Sequence, residues 1–412
     1  MTHPALRNPD STIELLKKWS KLGWIRSVDY GLAAFIFEQG SAITPHCMVL
    51  VALCSYQLEK GHTCLSLEHL RAESSSLIND KIAYSDSSLN QIGSDHDDIL
   101  STPTLKEIIQ STPEKIWISS LHDNNAVTVI RSSTDTLPPS LFSLDDSNLS
   151  SPLVLMGHKL YLRRFWQYER DIIDFIETRF SQDFDKDFLE KLSLPEIKTT
   201  IAHTIDHLFT SSRAQQTNPS PNDISIDWQK VACAAALRYP FCIITGGPGT
   251  GKTSTVVRML ALLQSLFISE SRLHGLRIAL AAPTGKAAAR LSESLGKNFD
   301  FLAKSDLALK DQISQSLPKQ VTTLHRLLGP IPDSRFFKFN SLNRLPIDIL
   351  VIDEASMVDT QMMASICNAL PKQARLILLG DKDQLSSVEP GAVLGALCSG
   401  ALMGPAQQNE AK

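Results

Sequence analysis

No run of apolar residues in this sequence is long enough to cross a membrane. The longest, CMVLVALC at 47–54, falls far short of the roughly 20 residues that a spanning helix needs. The opening MTHPALRNPD has no apolar core after a basic start, so no secretory leader is expected and the chain reads as soluble and cytoplasmic. Paired cysteines are also lacking. The seven (Cys47, Cys54, Cys64, Cys233, Cys242, Cys367, Cys398) are odd in number and scattered, which argues against a disulfide framework and for a reducing compartment. The nearest approach to a metal site is His46, Cys47, Cys54, His62 and Cys64. It lacks the C-x2-C pairing that holds most zinc sites, and buried helical cysteines are the simpler reading.

What is present suits ordinary globular domains. The 412 residues are 43% hydrophobic and 20% charged, enough for two or three domains with sizeable cores. The net charge of −4 hides an asymmetry. Residues 1–226 carry 20 Lys and Arg against 29 Asp and Glu, whereas residues 227–412 carry 20 against 15. The mildly basic second half permits nucleic-acid contact, although surface charge is usually just solvated.

The first part reads as helices. STIE at 11–14 predicts a capping box, Ser11 with Glu14, opening the amphipathic IELLKKWSKL. SVDYGLAAFIFEQG repeats the pattern, with Gly40 as its C-cap. Thr44 and Pro45 open a third helix that is apolar nearly all round, as in a helix buried on most sides. Residues 1–110 are therefore expected to form a helical domain without a catalytic constellation. Residues 81–151 are rich in Ser, Asp, Thr and Pro, and 131–151 reads as a long loop or linker. Two alternating runs flank Gly157-His158, which predicts a β-hairpin, and helices follow to about 210. These make a connecting region, 111–224, that ends in a second linker at 211–223. From 225 the pattern changes. Helical segments alternate with FCIIT (241–245), IALAA (278–282), DILVID (348–353) and RLILLG (375–380), which predicts an α/β domain over 225–398. Its expected form is a parallel sheet with helices on both faces, followed by a tail at 399–412.

The chemistry gathers in this last domain. GGPGTGKT, from Gly246 through Gly247, Pro248, Gly249, Thr250, Gly251 and Lys252 to Thr253, fits G-x-x-x-x-G-K-[ST] between a strand and a helix. Its glycines let backbone N–H groups wrap phosphates at a helix N-terminus. Lys252 should reach the β- and γ-phosphates of ATP, and Thr253 should ligate Mg²⁺. Asp353 and Glu354 close a β-branched strand at the edge where open α/β sheets bind ligands. Asp353 would hold Mg²⁺ and Glu354 would polarise the attacking water. A solvated Asp-Glu pair is the bland alternative.

Weaker signals surround these. Gln384 lies just beyond a strand, where an amide could sense the γ-phosphate. Asp381 and Asp383 beside it suit turn or cap roles equally. Gln229 precedes the phosphate loop and offers a donor and an acceptor suited to an adenine edge, although a lone Gln is usually just exposed. Pro283, Thr284 and Lys286, with Arg290 a turn later, open a helix that is either a phosphate-contact site or a simple cap. Thr322, Thr323 and His325 could touch a nucleic-acid backbone or cap a core helix.

Taken in order, these six stretches resemble superfamily 1 helicases, and GDKDQL resembles the third motif of that superfamily. Within it, IITGGPGTGKT, APTGKAAARL, TLHRLLG, VIDEASMVD and GDKDQLSSVEPGAVLG resemble the RecD family, the alpha subunits of exodeoxyribonuclease V. LGWIRSVDYGLAAFIFEQG and SPLVLMGHKLYLRRFWQYE extend the resemblance over nearly the whole chain. It implies an ATP-driven 5′-to-3′ single-stranded DNA translocase that works with RecB and RecC on double-strand ends. It further implies that residues 1–110 dock on partners and that 333–348 is an inserted strand-separating pin or an ordinary hairpin. The nuclease belongs to RecB in such complexes, and no nuclease constellation is seen here. RecD-like proteins continue into a second RecA-like domain with further arginines. The sequence after Gly395 drifts into small and polar residues, so a truncated chain that binds ATP but hydrolyses it weakly is expected. Two other readings stay open: a motor-inactive module docking on RecB and RecC, and a stand-alone RecD-like helicase.

Overall fold

The computed structural model describes residues 3–39, 43–68, 70–71, 74, 77–78, 102–122, 124–130, 151–181, 186–213, 226–247, 249–269, 275–303, 310–318, 320–381, 384 and 390–399. Gly40, Pro248, Asp383, the 131–150 and 214–223 parts of the two linkers, and residues 400–412 of the tail lie outside them. Two compact units emerge among the described residues. One holds the chain up to Arg170 together with Pro390 and Gly391, and the other holds the chain from Asp171 on.

The first unit comprises α1 (Pro9–Lys21), α2 (Ser27–Glu38), α3 (Pro45–Glu59), β1 (Cys64–Ser66), α4 (Leu105–Ser111), α5 (Glu114–His122), β2 (Val127–Ile130), β3 (Leu153–Met156) and β4 (Lys159–Leu162). Helix α1 starts earlier than the Ser11–Glu14 box predicts. Asn8 is the cap: its Oδ1 accepts from Ser11 N at 2.8 Å, while Ser11 Oγ accepts from Asn8 N at 3.4 Å. The reason is Pro9, whose fixed φ and missing N–H suit the first helical position and so set the start three residues upstream. Thr44 caps α3 as expected, its side chain accepting from Cys47 N. Every residue of α3 from His46 to Gln57 is buried, which accounts for its apolar circumference.

The helices pack with a four-stranded sheet of order β1-β4-β3-β2. β3 and β4 form the expected antiparallel hairpin, with Met156 opposite Lys159. β2 and β1 are additions that composition does not reveal; β2 runs parallel to β3 and the three-residue β1 is antiparallel to β4. Helices α4 and α5 also lie in a stretch rich in polar residues. Thr104 and Glu107 make a reciprocal capping box for α4, and Leu105, Ile108, Ile109, Trp117 and Leu121 bury themselves in the same core as Trp19 and Trp24.

Helix α6 (Arg163–Phe180) contains the division between the units. Beyond it come α7 (Lys186–Leu192), α8 (Pro195–Arg213), α9 (Trp228–Arg238), β5 (Phe241–Thr245), α10 (Lys252–Ser269), β6 (Ile278–Ala282), α11 (Gly285–Ala303) and α12 (Lys310–Ser316). The chain continues through β7 (Thr322–Thr323), α13 (Leu324–Leu328), β8 (Ile349–Ile352), α14 (Thr360–Ala369), β9 (Arg375–Gly380) and α15 (Val393–Ser399). The five strands form one sheet of order β5-β9-β8-β6-β7, and every pairing is parallel. All four residues of β8 and all six of β9 are buried. A strand buried on successive residues is covered on both faces. Ile349, Val351, Ile377 and Leu379 face a core shared with α8 to α12, and their alternates Leu350, Ile352, Leu376 and Leu378 are buried as well. The α/β expectation therefore holds, with one strand more than the four apolar runs indicate.

Among the described residues, the stretch 333–348 contains no regular strand. Its sheet-like geometry is confined to one isolated bridge, Pro330 to Phe337. The two hydrogen bonds of that bridge run from Lys338 N to Gly329 O at 2.7 Å and from Ile331 N to Phe336 O at 3.3 Å, and the Asn340 side chain serves a local turn, accepting from Leu342 N at 2.9 Å and Asn343 N at 3.2 Å.

Candidate functional site

Parallel strands place all their C-terminal ends on one edge, and there the sequence-predicted residues meet. β5 leads into the phosphate-loop sequence, and Gly246 N donates to Gly380 O at 3.2 Å, tying the loop to the end of β9. Thr250 Oγ1 donates to Gly247 O at 2.9 Å and closes the loop on itself. Gly251 has φ +82°, and a Cβ there would stand 2.6 Å from Gln229 Nε2, so only glycine suits both the backbone and the space. Lys252 opens α10 and turns its ammonium inward, donating to Gly246 O and to Gly247 O at 3.2 Å. Thr253 follows it, half-buried. A loop rich in glycine at the start of an 18-residue helix, with a cation folded onto it, suits a polyphosphate in charge.

Gln229 sits on the second residue of α9, whose cap is Asp227, accepting from Gln229 N at 3.1 Å and Lys230 N at 3.3 Å. Its amide Nε2 donates to Thr250 O at 3.1 Å. Its Oε1 accepts from Arg258 Nη1 at 3.1 Å. Sequence reading missed Arg258. A lone arginine on a helix has no local signal, and its meeting with Gln229 arises only from the packing of α9 on α10.

Asp353 and Glu354 follow β8. Asp353 N donates to Ala281 O at 2.9 Å, which anchors the pair to β6. Burial raises the Asp353 carboxyl above its usual range. Donation from Glu354 N at 2.9 Å opposes this, the Glu354 charge adds to it, and the Lys252 charge lowers it again. Lys252 is thus close enough for its charge to act on Asp353. Glu354 has φ 53° and ψ 40°, a left-handed backbone that costs a non-glycine residue about 1–3 kcal/mol. Thr253 and Asp353 both lie at this edge, together with the carboxyls of Glu354 and Asp381. Gln384 lies in a turn after β9, its N donating to Asp381 O at 3.3 Å, and its side chain is exposed. Asp381 is buried, and its backbone carbonyl is that acceptor.

The remaining predicted residues occupy the far end of the same edge. Ala282 pairs with Thr323, so the segments Pro283–Lys286 and Thr322–His325 leave adjacent strands side by side. Thr284 Oγ1 accepts from Ala287 N at 3.2 Å, and Thr323 Oγ1 accepts from Arg326 N at 3.2 Å, so both threonines serve as caps. Lys286, Arg290, His325 and Arg326 are exposed around them. His325 packs edge-on against Phe337, with centroids 5.9 Å apart. Two exposed helix starts with basic neighbours form a surface able to accept a polyanionic backbone.

Comparison with known proteins finds two matching segments. Residues 229–390 match the AAA domain, and residues 21–161 match the RecBCD enzyme subunit RecD, N-terminal domain. RecBCD enzyme subunit RecD of Haemophilus influenzae is 34% identical over 391 residues, covering 93% of this chain and 53% of that protein. RecBCD enzyme subunit RecD of Mycolicibacterium smegmatis is 41% identical over 253 residues, covering 60% of this chain and 39% of that one. ATP-dependent RecD2 DNA helicase of Deinococcus radiodurans is 38% identical over 159 residues, covering 39% of this chain and 18% of that one. The chain spans about half the length of the first of these relatives.

Proposed function

Because the chain belongs to the RecD family across the residues it shares with these relatives, we propose that it is an ATP-dependent 5′-to-3′ DNA translocase and helicase subunit of a RecBCD-type exodeoxyribonuclease V. It acts on single-stranded and double-stranded DNA ends in break repair and recombination, beside RecB-like and RecC-like partners. Such partners carry with them a cytoplasmic location. The observation that supports this most is Lys252, folded onto the Gly246 and Gly247 carbonyls and electrostatically coupled to Asp353.

In this reading Gly246–Thr253 hold the triphosphate of ATP. The Lys252 ammonium leaves its two carbonyls for the β- and γ-phosphates, an exchange that costs the loop little because both arrangements satisfy the cation. Thr253 and Asp353 hold Mg²⁺, which supplies charge neutralisation at the phosphates when bound. Glu354 orients and polarises the attacking water. Gln229 meets the adenine edge and Gln384 reads the γ-phosphate. Pro283, Thr284, Lys286, Thr322 and His325 grip the DNA backbone. By role, residues 1–110 are a docking domain, 111–224 connect, 225–398 are the first RecA-like domain and 399–412 are a tail.

The test is ATP turnover by this chain with and without single-stranded DNA. DNA-stimulated turnover that falls on the order of 10²-fold or more in Lys252→Ala supports the reading. Turnover indifferent to both DNA and Lys252 rejects it. A second reading, a module that docks on RecB and RecC without motor activity, draws on α2. There Val28 and Phe35, seven residues apart on one helix face, are 61% and 57% exposed. Retention of RecB and RecC by a chain with no DNA-stimulated turnover selects that second reading.

A further inference from the structure

Of the eleven histidines, only His203 and His207 stand four residues apart, and both lie on α8. Residues at that spacing share a helix face, one turn above the other. The two imidazole centroids are 4.4 Å apart, with the ring planes tilted by 56°. His203 is exposed and His207 is half-buried. Among the described residues no hydrogen bond or ion pair engages either ring. The other polar side chains on these turns are committed. Thr199, Thr200 and Thr204 donate to Pro195 O, Glu196 O and Thr200 O at 2.9, 2.9 and 2.8 Å. Asp206 Oδ1 accepts from Lys230 Nζ at 2.6 Å. The imidazole nitrogens are what this face offers to a ligand.

We propose that His203 and His207 chelate a late first-row divalent cation, Ni²⁺, Cu²⁺ or Zn²⁺, through one nitrogen of each ring, and that this chelate staples two turns of α8. Two histidines one turn apart on a helix recur as part of zinc sites. Imidazole nitrogen suits these cations, whereas Mg²⁺ and Ca²⁺ take oxygen ligands. No group of three or more His, Cys, Asp or Glu able to hold a metal ion occurs among the described residues. The protein's share is therefore two ligands, water completes the sphere, and the metal is exchangeable. The staple has something to hold. Leu208 and Phe209 are buried in the core near the end of α8, where the helix packs on α9 and α10, while residues 198–200 are exposed. A metal ion would join His203, on the exposed part, to His207, beside the anchored Leu208. The proposal stands apart from the nucleotide-binding reading, since neither ring belongs to the phosphate loop or the Asp353–Glu354 turn.

The experiment takes the untagged chain, freed of metal with a chelator, and titrates it with NiCl₂, ZnCl₂ and MgCl₂ in turn, by calorimetry and by thermal melts. Ni²⁺ should bind at these histidines with a Kd on the order of 10 µM. At about 100 times that Kd it should raise the transition of the second unit by about 5–10 °C. His203→Gln, at an exposed position, should melt like the wild type without metal and bind Ni²⁺ about tenfold or more weakly. His207→Gln should lose the binding as well. Adding Thr199→His to His207→Gln rebuilds the four-residue spacing with His203 and should recover it. Ni²⁺ binding that is equal in the wild type and in both single variants overturns the proposal, the ion then being adventitious elsewhere on the chain. Absence of Ni²⁺ and Zn²⁺ binding overturns it too. Binding that depends on the histidines but leaves the transition in place overturns the staple. A histidine-dependent shift produced equally by Mg²⁺ overturns the choice of cation.

Discussion

Asp353 is a carboxyl whose burial works against its own charge. Its pKa is raised in the fold, so its contribution to stability is complete while the carboxyl is protonated, below the unfolded carboxylate range, and is lost as pH rises through the folded value. At pH 7 the charge is a cost. Asp353→Asn is therefore expected to melt a few degrees above the wild type at pH 7 without Mg²⁺, at about 2–4 °C per kcal/mol. The gap should close as pH falls toward about 4, and thermal melts at both pH values check it. The same variant should lose turnover, separating the stability role from the proposed chemistry. Lys286 belongs to the other end of the edge. If it meets a phosphate, Lys286→Ala should lower the salt slope of single-stranded DNA binding by about 0.7, read from anisotropy titrations at several ionic strengths.

Elements depend on a few contacts that their own sequence does not advertise. Asn8→Ala should destabilise the first unit by about 1 kcal/mol, and Glu14→Ala should leave it nearly unchanged, by urea denaturation. At Gly380 a Cβ would stand 2.5 Å from Leu394 Cδ2 and 3.3 Å from Ser356 N. Gly380→Ala is expected to cost about 1–3 kcal/mol in the same assay, because backbone as well as a side chain must yield. The four long strands of the second sheet are legible in sequence because each is an apolar run bounded by turn formers. β7 is not: two threonines look like a helix cap, and they are one as well as a strand. β1 has three residues, and β2 sits in a polar stretch, so neither carries a period. The phosphate loop is legible from spacing alone, since its backbone chemistry fixes the residue types. Arg258 is not, because its partner Gln229 lies 29 residues away on another helix.

For the whole molecule, the two units have separate cores, one around Trp19, Trp24 and α3 and one around α10 and the parallel sheet. A ligand stabilises only what it binds. At about 100 times its Kd, ATP with Mg²⁺ should add about 2.7 kcal/mol to the second unit. Calorimetry is then expected to show two transitions, of which nucleotide moves one upward by about 5–10 °C and leaves the other in place. A single transition, or an equal shift of both, would count against separate binding roles for the units.

β5, which carries the phosphate loop, stands at one end of the sheet, and its partner is β9. Thr245 pairs with Gly380, so the two strands meet across about 130 residues of sequence. On a ribosome adding roughly 5–20 residues per second, the loop-bearing strand emerges and then waits on the order of ten seconds for the strand that completes it. During that wait β5 exposes both edges to any other chain, which is an opening for misassembly and a natural place for a chaperone. Protease protection of residues 241–269 in arrested nascent chains should appear late and abruptly, once β9 has been made.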